Sequence, residues 1–327
     1  MKLSWKGSLA IALCLWVHPQ SPALGQGQFP THTITVIVPL PPGGSADPVM
    51  RLVAKKVSES LNQTIVVDNR PGGGGNIAAR YVKQSDPTGH TLIMGNTSTH
   101  AVNASLYVDP GFDPIKDFKP ITILTSLPTI LVVPADSPAR TVKDLVELAK
   151  TKPGGLTYGS QGVGSGGHLL GEMMQRIAGA PMVHVPYRGA APAIQDLVAG
   201  RLDLVFGSYL SAGQFVKDGK LRILGVTAPK RSATIPDIPT MAEAGFPDLE
   251  YELWYGMLAP ADTPAATIKI LHDEFVKAAR SDEFAKLVIP QGAEVVANSP
   301  EQFSLRIAED VARLGKVVRA ANISVEK

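Results

Sequence analysis

The chain has 327 residues, of which 44% are hydrophobic and 18% are charged, a length sufficient for about two domains. Its formal net charge is only +2 and its basic residues are scattered, so composition gives no support for a nucleic-acid partner or a charged membrane surface. The single cysteine, Cys14, lies near the N-terminus. A chain without that segment has no disulfide, no thiolate metal site and no cysteine nucleophile.

Residues 1–25 have the order of a secretory signal peptide. Lys2 and Lys6 form a basic start, Ser8–Val17 is a short apolar run, and small residues occupy positions 23 and 25. The apolar run is too short to span a bilayer as a helix. We therefore expect an exported mature protein that begins near Gln26 and works in the periplasm.

From Thr33 onward, short β-branched runs alternate with stretches of helical spacing. The helix Pro48–Leu61 is predicted because apolar residues recur in it every four positions. Strand, helix and strand in regular order indicate a parallel α/β sheet. The predicted strands of this first part are Val36–Val38, Thr64–Val67, Thr91–Met94, Pro120–Leu124 and Thr129–Val133.

The same alternation continues in a second part. Thr141 and Asp144 have the spacing of a capping box at the start of a helix that reaches Lys150. Further strands are predicted at Leu156–Tyr158, Met182–Val185, Leu202–Phe206 and Leu221–Val226, and helices at residues 169–177, 190–199, 264–280 and 300–320. We expect one α/β domain formed by residues 26–127 plus 247–327 and a second by residues 128–246, with crossovers near Leu127 and Glu250.

Three glycine-rich turns and one polar loop follow predicted strands. If the strands are parallel, these segments share the carboxyl edge of the sheet, where open α/β folds bind ligands. The turns Gly43-Gly44-Ser45 and Gly164-Ser165-Gly166 each start a helix, in different domains. Two helix N-termini facing each other would bind a small molecule with a carboxylate at one or both ends. The other two segments are Arg70–Asn76 and Gly95–His100.

Motifs for other chemistries fail on particular residues. Gly162–Gly167 fits G-x-G-x-x-G, but no acidic residue ends the next strand, so no dinucleotide cofactor is expected. Neither Ser45 nor Ser165 stands in Gly-x-Ser-x-Gly, and no H-E-x-x-H or carboxylate cluster suggests a metal. His184 lies in an apolar strand, which favours a structural role. An exported hydrolase acting on a carboxylate or an ester stays an alternative without a motif.

Six stretches in order resemble the Bug family, the TctC-like extracytoplasmic solute receptors of tripartite tricarboxylate transporters. They are Val38–Asp47, Val67–Gly75, Asp113–Phe118, Gly164–Leu169, His184–Gly189 and Pro236–Gly245. The resemblance implies a periplasmic binding protein-like fold of the type II kind, with two α/β domains that close on a small carboxylate in the cleft between them. It implies delivery of that ligand to membrane permease subunits, without a cofactor. We expect a monomer. A sensor that passes the ligand to a membrane kinase would have the same site, so that role stays open.

The resemblance also implies which residues bind the ligand. The first glycine loop and the loop of the second domain would hold the carboxylate, partly through water, and Trp254 or Tyr255 would form a wall. Asp47 could equally be only a helix cap. Gly207 stands where amino-acid-binding members have an aspartate suited to an ammonium group, so we expect a ligand without an α-amine. The implied contacts are Pro42, Gly43, Gly44, Asp47, Asn96, His100, Leu127, Gly164, Ser165 and His168.

Overall fold

The computed structural model describes residue 1, residues 29–42 and residues 46–323. Nearly all of the expected signal peptide, and the turn formed by Gly43, Gly44 and Ser45, lie outside these residues. No helix in the described ranges combines the length and the apolar character needed to cross a membrane.

Strands and helices alternate through most of the chain. The first part contains β1 (Ile34–Val38), α1 (Ala46–Leu61), β2 (Ile65–Asn69), α2 (Asn76–Lys83), β3 (Thr91–Asn96), α3 (Asn103–Leu106) and β4 (Phe118–Pro134). The middle contains α4 (Val142–Thr151), β5 (Leu156–Ser160), α5 (Gly166–Ala178), β6 (Met182–Pro186), α6 (Ala190–Val198), β7 (Leu204–Ser208), α7 (Tyr209–Lys217) and β8 (Leu221–Val226). The last part contains β9 (Glu252–Pro260), α8 (Ala265–Ala279), α9 (Asp282–Val288), β10 (Glu294–Val295) and α10 (Pro300–Ala320).

The strands form a mixed sheet in the order β2-β1-β3-β9-β4-β7-β5-β6, with β8 and β10 also paired to β4. In the first half β1 is parallel to β2 and β3, and in the second half β5 is parallel to β6 and β7. β9 and β4 are antiparallel to their neighbours. The predicted α/β architecture with two halves is confirmed, and the prediction of a wholly parallel sheet is wrong for β4 and β9.

β4 connects the two halves. Its residues up to Pro128 pair with β9, and from Thr129 onward they pair with β7. The sequence predicted two strands here, interrupted at Pro128, whereas the structure has one continuous strand. Pro128 is tolerated because it stands where β4 changes partners, a position at which a missing N–H disrupts the pairing least.

The capping box predicted at Thr141 and Asp144 is confirmed. Thr141 with Asp144 and Ser299 with Gln302 form reciprocal capping boxes at α4 and α10. The apolar stripe of α1 faces inward, since Val49, Val53 and Val57 are buried. These contacts fix the helices against the sheet and leave the strand ends free for a site.

The two halves also share an apolar core. Leu106 of α3 and Leu314 of α10, both from the first half, are buried in the same cluster as Leu169 and Met174 of α5. This shared core joins the halves on one side of the sheet. The loops at the carboxyl ends of the parallel strands face each other next to this core, and Leu106 belongs to both regions.

Candidate functional site

A cleft of about 400 Å³ lies between the loops of the two halves. Its walls follow the carboxyl ends of β1, β2, β3 and β5, and residues of β9 also line it, as expected for ligand sites of open α/β sheets. The described lining residues are Pro39, Leu40, Pro41, Pro71, Gly72, Gly74, Gly75, Asn96, Ser98, Asn103, Leu106, Tyr107, Gln161, Val163, Gly164, Ser165, Leu253 and Tyr255.

The described lining of this cleft contains no Asp, Glu, Lys, Arg or His. Its surface combines proline and aliphatic side chains with backbone amides, three carboxamides (two asparagines and one glutamine), two serines and two tyrosines. A charged ligand would therefore meet no opposite charge on the described lining side chains. An anion can be held here by neutral donors, which are backbone N–H, amide and hydroxyl groups.

Asn96 is one of these donors. Asn96 is the last residue of β3, and only 3% of it is exposed. Its Oδ1 accepts a hydrogen bond from the Thr99 backbone N–H at 3.1 Å. Because an N–H donor requires an oxygen acceptor, this bond fixes which end of the amide is which. The Nδ2 group has no hydrogen-bond partner among the described residues, so it is available to donate into the cleft.

The loop after β3 is more ordered than the sequence indicated. We expected a polar loop at Gly95–His100, but residues 98–102 form a single π-helical turn that continues into α3. The Thr99 hydroxyl accepts from the Asn96 backbone N–H at 3.1 Å, which closes the turn from the other side. Local side-chain bonds of this kind stabilise a turn that hydrophobic periodicity does not reveal.

The second glycine turn forms one wall of the cleft, although the sequence did not place it among the ligand contacts. Gly72, Gly73, Gly74 and Gly75 all have positive φ, between 56° and 124°. A Cβ atom on Gly74 would lie 2.5 Å from the Tyr107 hydroxyl oxygen. The run of four glycines was the available signal, because only glycine adopts this backbone repeatedly without strain.

The loop after β5 forms the opposite wall. Ser165 caps α5, because its Oγ donates to the Gly162 carbonyl at 2.7 Å and accepts from the His168 N–H at 3.4 Å. The Gly164 N–H donates to Nδ1 of His168 at 3.1 Å. Gly164 and Ser165 therefore line the cleft, while the His168 ring lies behind the loop.

His168 belongs to a packed pair of imidazoles. Its ring stacks on that of His184, with centroids 4.0 Å apart and an interplanar angle of 9°. Burial lowers the pKa of both side chains, to about 4 for His184, whose pKa is lowered further by the neighbouring His168. Both rings are therefore neutral at pH 7.

Several residues predicted as contacts lie away from the described lining. His100 is fully buried beside Phe118, with ring centroids 4.8 Å apart, and burial lowers its pKa to about 3. Leu127 is buried in the apolar core of the first half, and Gly207 lies within β7 opposite Ile130 of β4.

The first glycine loop is only partly described. Asp47 is 8% exposed in the first turn of α1, where its Oδ2 accepts from Arg51 Nε at 3.0 Å, and it does not line the cleft. Pro42 is exposed, next to the lining residue Pro41. Gly43 and Gly44 lie outside the described residues. A ligand role for these four residues stays a prediction.

Trp254 points to the other side of β9. Successive side chains of a strand alternate between its faces, so Tyr255 and Leu253 line the cleft while Trp254 and Glu252 line a second cavity. This second cavity, of about 450 Å³, is lined by residues of both halves and is called the hinge cavity below. The wall residue of the cleft is thus Tyr255. The hinge cavity's charged lining residues are Lys230, Glu252, Glu294, Arg306 and Glu309.

A charged network stands beside the hinge cavity. Asp310 is 1% exposed and accepts from Arg306 and Arg313, each at 2.8 Å, and from Trp254 Nε1 at 3.0 Å. Arg306 also contacts Glu252 at 3.2 Å, whose pKa is raised by burial and held back by this arginine. The two buried carboxylates of this region, Glu252 and Asp310, both contact arginine side chains. The described residues include no group of three His, Cys, Asp or Glu side chains placed to bind a metal ion.

The sequence of the chain matches a known family over most of its length. The model of the "Tripartite tricarboxylate transporter family receptor" (TctC) matches residues 49–323. The chain belongs to this family. The resemblance to Bug and TctC-like receptors is thereby confirmed.

Individual relatives of this TctC receptor support the same conclusion. It is 36% identical over 291 residues to the "UPF0065 protein in tcbD-tcbE intergenic region" of Pseudomonas sp. (strain P51), covering 89% of this chain and 86% of that one. It is 32% identical over 292 residues to "Protein BugT" of Bordetella pertussis, with 89% and 90% coverage.

Two similar solved structures contain ligands. One is Rpa4515 of R. palustris with adipate, at 35% identity and a TM-score of 0.78, covering 91% of this chain and 100% of that one. The other is MatC from Rhodopseudomonas palustris with bound malate, at 29% identity and a TM-score of 0.74, with 89% and 100% coverage. Both ligands are small dicarboxylates.

Proposed function

We propose that this receptor captures a small carboxylate in the cleft and delivers it to the membrane permease of a tripartite tricarboxylate transporter. The observation that carries the proposal is the Asn96 amide, whose oxygen is held by Thr99 and whose NH2 group is left to donate into the cleft. A hydrogen bond to a charged group contributes about 1.5–3 kcal/mol. Adipate and malate in related structures support the same ligand class.

The lining also indicates what kind of carboxylate fits. Because no described lining side chain is acidic, an ammonium group would lose its hydration without a counter-charge. Leu40, Leu106 and Leu253 offer apolar contact to the body of the ligand. We therefore propose a carboxylate with an apolar chain or ring and no α-amine.

We further propose that the two halves close around this ligand by bending at the crossovers. Thr227, a residue of the second half, donates from its hydroxyl to the carbonyls of Thr129 and Tyr251, so both of these residues are held to the second half. The hydroxyl of Thr97 donates to the Glu252 carbonyl at 2.9 Å, in the first half. These bonds favour hinges between residues 128 and 129 and between residues 251 and 252. The second hinge lies slightly beyond the domain limit of 247 inferred from the sequence.

The cellular setting is part of the proposal. We place the mature chain, from about Gln26, in the periplasm as a monomeric receptor without enzymatic activity. A sensor role with a membrane kinase would use the same cleft, and ligand uptake by cells lacking the receptor distinguishes the two. Loss of uptake supports transport, whereas unchanged uptake with loss of a transcriptional response supports sensing.

Thermal unfolding of the mature chain tests the ligand class. Adipate, pimelate, benzoate, malate, citrate, glutamate and phosphate are added at matched concentrations. A ligand that binds only the folded state stabilises it by about 2.7 kcal/mol at a hundred times its dissociation constant. We expect the largest rise in melting temperature with adipate, pimelate or benzoate, and none with glutamate. A rise with phosphate alone, or with none of the carboxylates, would contradict the proposal.

A further inference from the structure

We propose that the stacked pair His168 and His184 positions the cleft loop Gly162–Ser165, and that protonation of His168 releases this loop and weakens ligand binding. The pair is not part of the described lining, so it acts through the loop rather than on the ligand. The inference relies on the proposed carboxylate function only for its binding measurement. The loop geometry itself is measurable without ligand.

Each imidazole is connected to the loop by a separate route. Nδ1 of His168 accepts the Gly164 N–H at 3.1 Å. Nε2 of His184 lies 2.7 Å from Oγ of Ser160, and the same Oγ accepts the Gly162 N–H at 3.1 Å. Gly162 and Gly164, the two glycines of the loop, are therefore both held through their backbone N–H groups. Because the rings stack on each other, displacement of one removes support from the other.

The bond to Gly164 determines the protonation state of His168. A backbone N–H can donate only to an unprotonated ring nitrogen, so Nδ1 carries no proton in this arrangement and the proton of the neutral ring is on Nε2. Protonation places a second N–H at Nδ1, directly opposite the Gly164 N–H. Two donors then face each other, and the Gly164 amide must move away from the ring. Gly164 lines the cleft, so this movement changes the ligand site.

The charged and titratable neighbours determine when this happens. From α5 itself, Oε1 of Glu172 lies 3.9 Å from Nε2 of His168 and favours its protonation. From β5, the Tyr158 hydroxyl donates to the same Oε1 at 2.6 Å, and its ring stacks beside His184 at 4.9 Å. From β6, the ring of His184, neutral above about pH 4, stacks on His168 with centroids 4.0 Å apart. Burial outweighs Glu172, and the pKa of His168 is below its ordinary value of 6.5. The loop is therefore fixed at pH 7 and released under acid conditions.

The test measures the dissociation constant of adipate, the probe ligand, between pH 8 and pH 5. In the unchanged protein we expect a constant value down to about pH 7 and at least a threefold weakening by pH 5. In His168→Asn, the amide oxygen can take the place of Nδ1 and accept from Gly164 without titrating. We expect affinity near that of the unchanged protein at pH 8 and, by pH 5, only the weakening that protonation of adipate itself causes in every variant. His168→Leu removes the acceptor and should bind weakly at every pH.

A matched control is His272→Asn, which removes a histidine on α8 far from the loop and should leave the pH profile unchanged. Identical profiles for the unchanged protein and His168→Asn would overturn the inference, as would full affinity in His168→Leu. Long-range ¹H–¹⁵N spectra of the imidazoles, recorded without ligand, give a second measurement. They should show an unprotonated Nδ1 on His168 and a Gly164 amide signal that shifts as this ring titrates. If adipate does not bind at any pH, the proposed function has failed, while these spectra still decide the positioning role.

Discussion

The cleft and the hinge cavity lie on opposite faces of the same strand, β9, and differ in their chemistry. The cleft has a volume of about 400 Å³ and no acidic, basic or histidine side chain in its described lining. The hinge cavity, of about 450 Å³, is lined by both signs of charge. A buried charge is stable only beside a permanent partner, and a cleft that fills and empties offers none. The difference favours a structural role for the buried charges, and it fits the proposal that neutral donors bind the ligand in the cleft.

The largest expected effect comes from removing charge at the hinge side. Asp310→Ala leaves Arg306 and Arg313 without their buried partner, and we expect a loss of about 3–5 kcal/mol in the free energy of unfolding. Urea denaturation measures this loss. As a control, Asp273→Ala breaks an exposed pair with Lys269 and should change stability by less than about 1 kcal/mol. Equal effects of the two substitutions would mean that the buried network contributes no more than a surface ion pair.

The next prediction introduces a charge into the cleft. Asn96→Asp keeps the oxygen that accepts from Thr99 but replaces the free NH2 donor by a carboxylate oxygen. Loss of a hydrogen bond to an anion, about 1.5–3 kcal/mol, corresponds to a roughly 10- to 150-fold weaker affinity for adipate, measured by calorimetry. Asn62→Asp makes the same change in net charge at an exposed position. If both variants weaken binding alike, the effect comes from net charge and not from the cleft.

A smaller effect is expected from adding one methyl group to the cleft. Gly164 has a φ of 77°, and a Cβ there would clash with the Leu106 side chain across the cleft. Gly164→Ala should therefore weaken adipate binding about tenfold. Gly154→Ala is the matched control, since its φ is 80° and nothing lies within 4 Å of its Cβ. It carries the same backbone strain, about 1–3 kcal/mol, and should leave affinity unchanged. Similar affinities in the two variants would show that the Leu106 contact has no role.

The smallest effect near neutral pH concerns two buried histidines, His100 and His184. The folded pKa is about 3 for His100 and about 4 for His184, below the ordinary value of 6.5. Between pH 6.5 and about pH 4 the unfolded chain binds more protons at these sites, so stability falls as the pH falls. One such group contributes about 1.4 kcal/mol of this loss by pH 5.5. His184→Gln should reduce the slope of unfolding free energy against pH, and an unchanged slope would place the titration elsewhere.

Much of the fold follows from local sequence signals. Capping boxes and four-residue periodicity predicted the helices. Short β-branched runs followed by glycine turns predicted the strands that precede the cleft loops. All of these signals depend on residues that are near neighbours in the sequence. The continuity of β4 through Pro128 was missed because it depends on which strands pair on either side of that proline. A sequence does not reveal that exchange of partners.

The site was predictable to the level of loops but not of side chains. Asn96, Gly164 and Ser165 line the cleft because they follow parallel strands, which the alternation of elements indicates. Whether Trp254 or Tyr255 faces the cleft depends on the register of β9 against β3 and β4. Whether the His168 ring faces the cleft or packs behind the loop depends on its bond to the Gly164 N–H, which hydrophobic periodicity does not reveal. Ligand binding by these residues stays a prediction.

The central claim is that uncharged donors bind the carboxylate of the ligand. Its most direct test is a crystal structure of the mature chain with adipate at saturating concentration. We predict a carboxylate oxygen within hydrogen-bond distance, about 2.7–3.2 Å, of Nδ2 of Asn96, with backbone amides supplying further donors. No Lys, Arg or His side chain should lie within about 4 Å of that carboxylate. Adipate bound to Arg306 or Lys230 in the hinge cavity, or paired with a basic side chain in the cleft, would contradict the account.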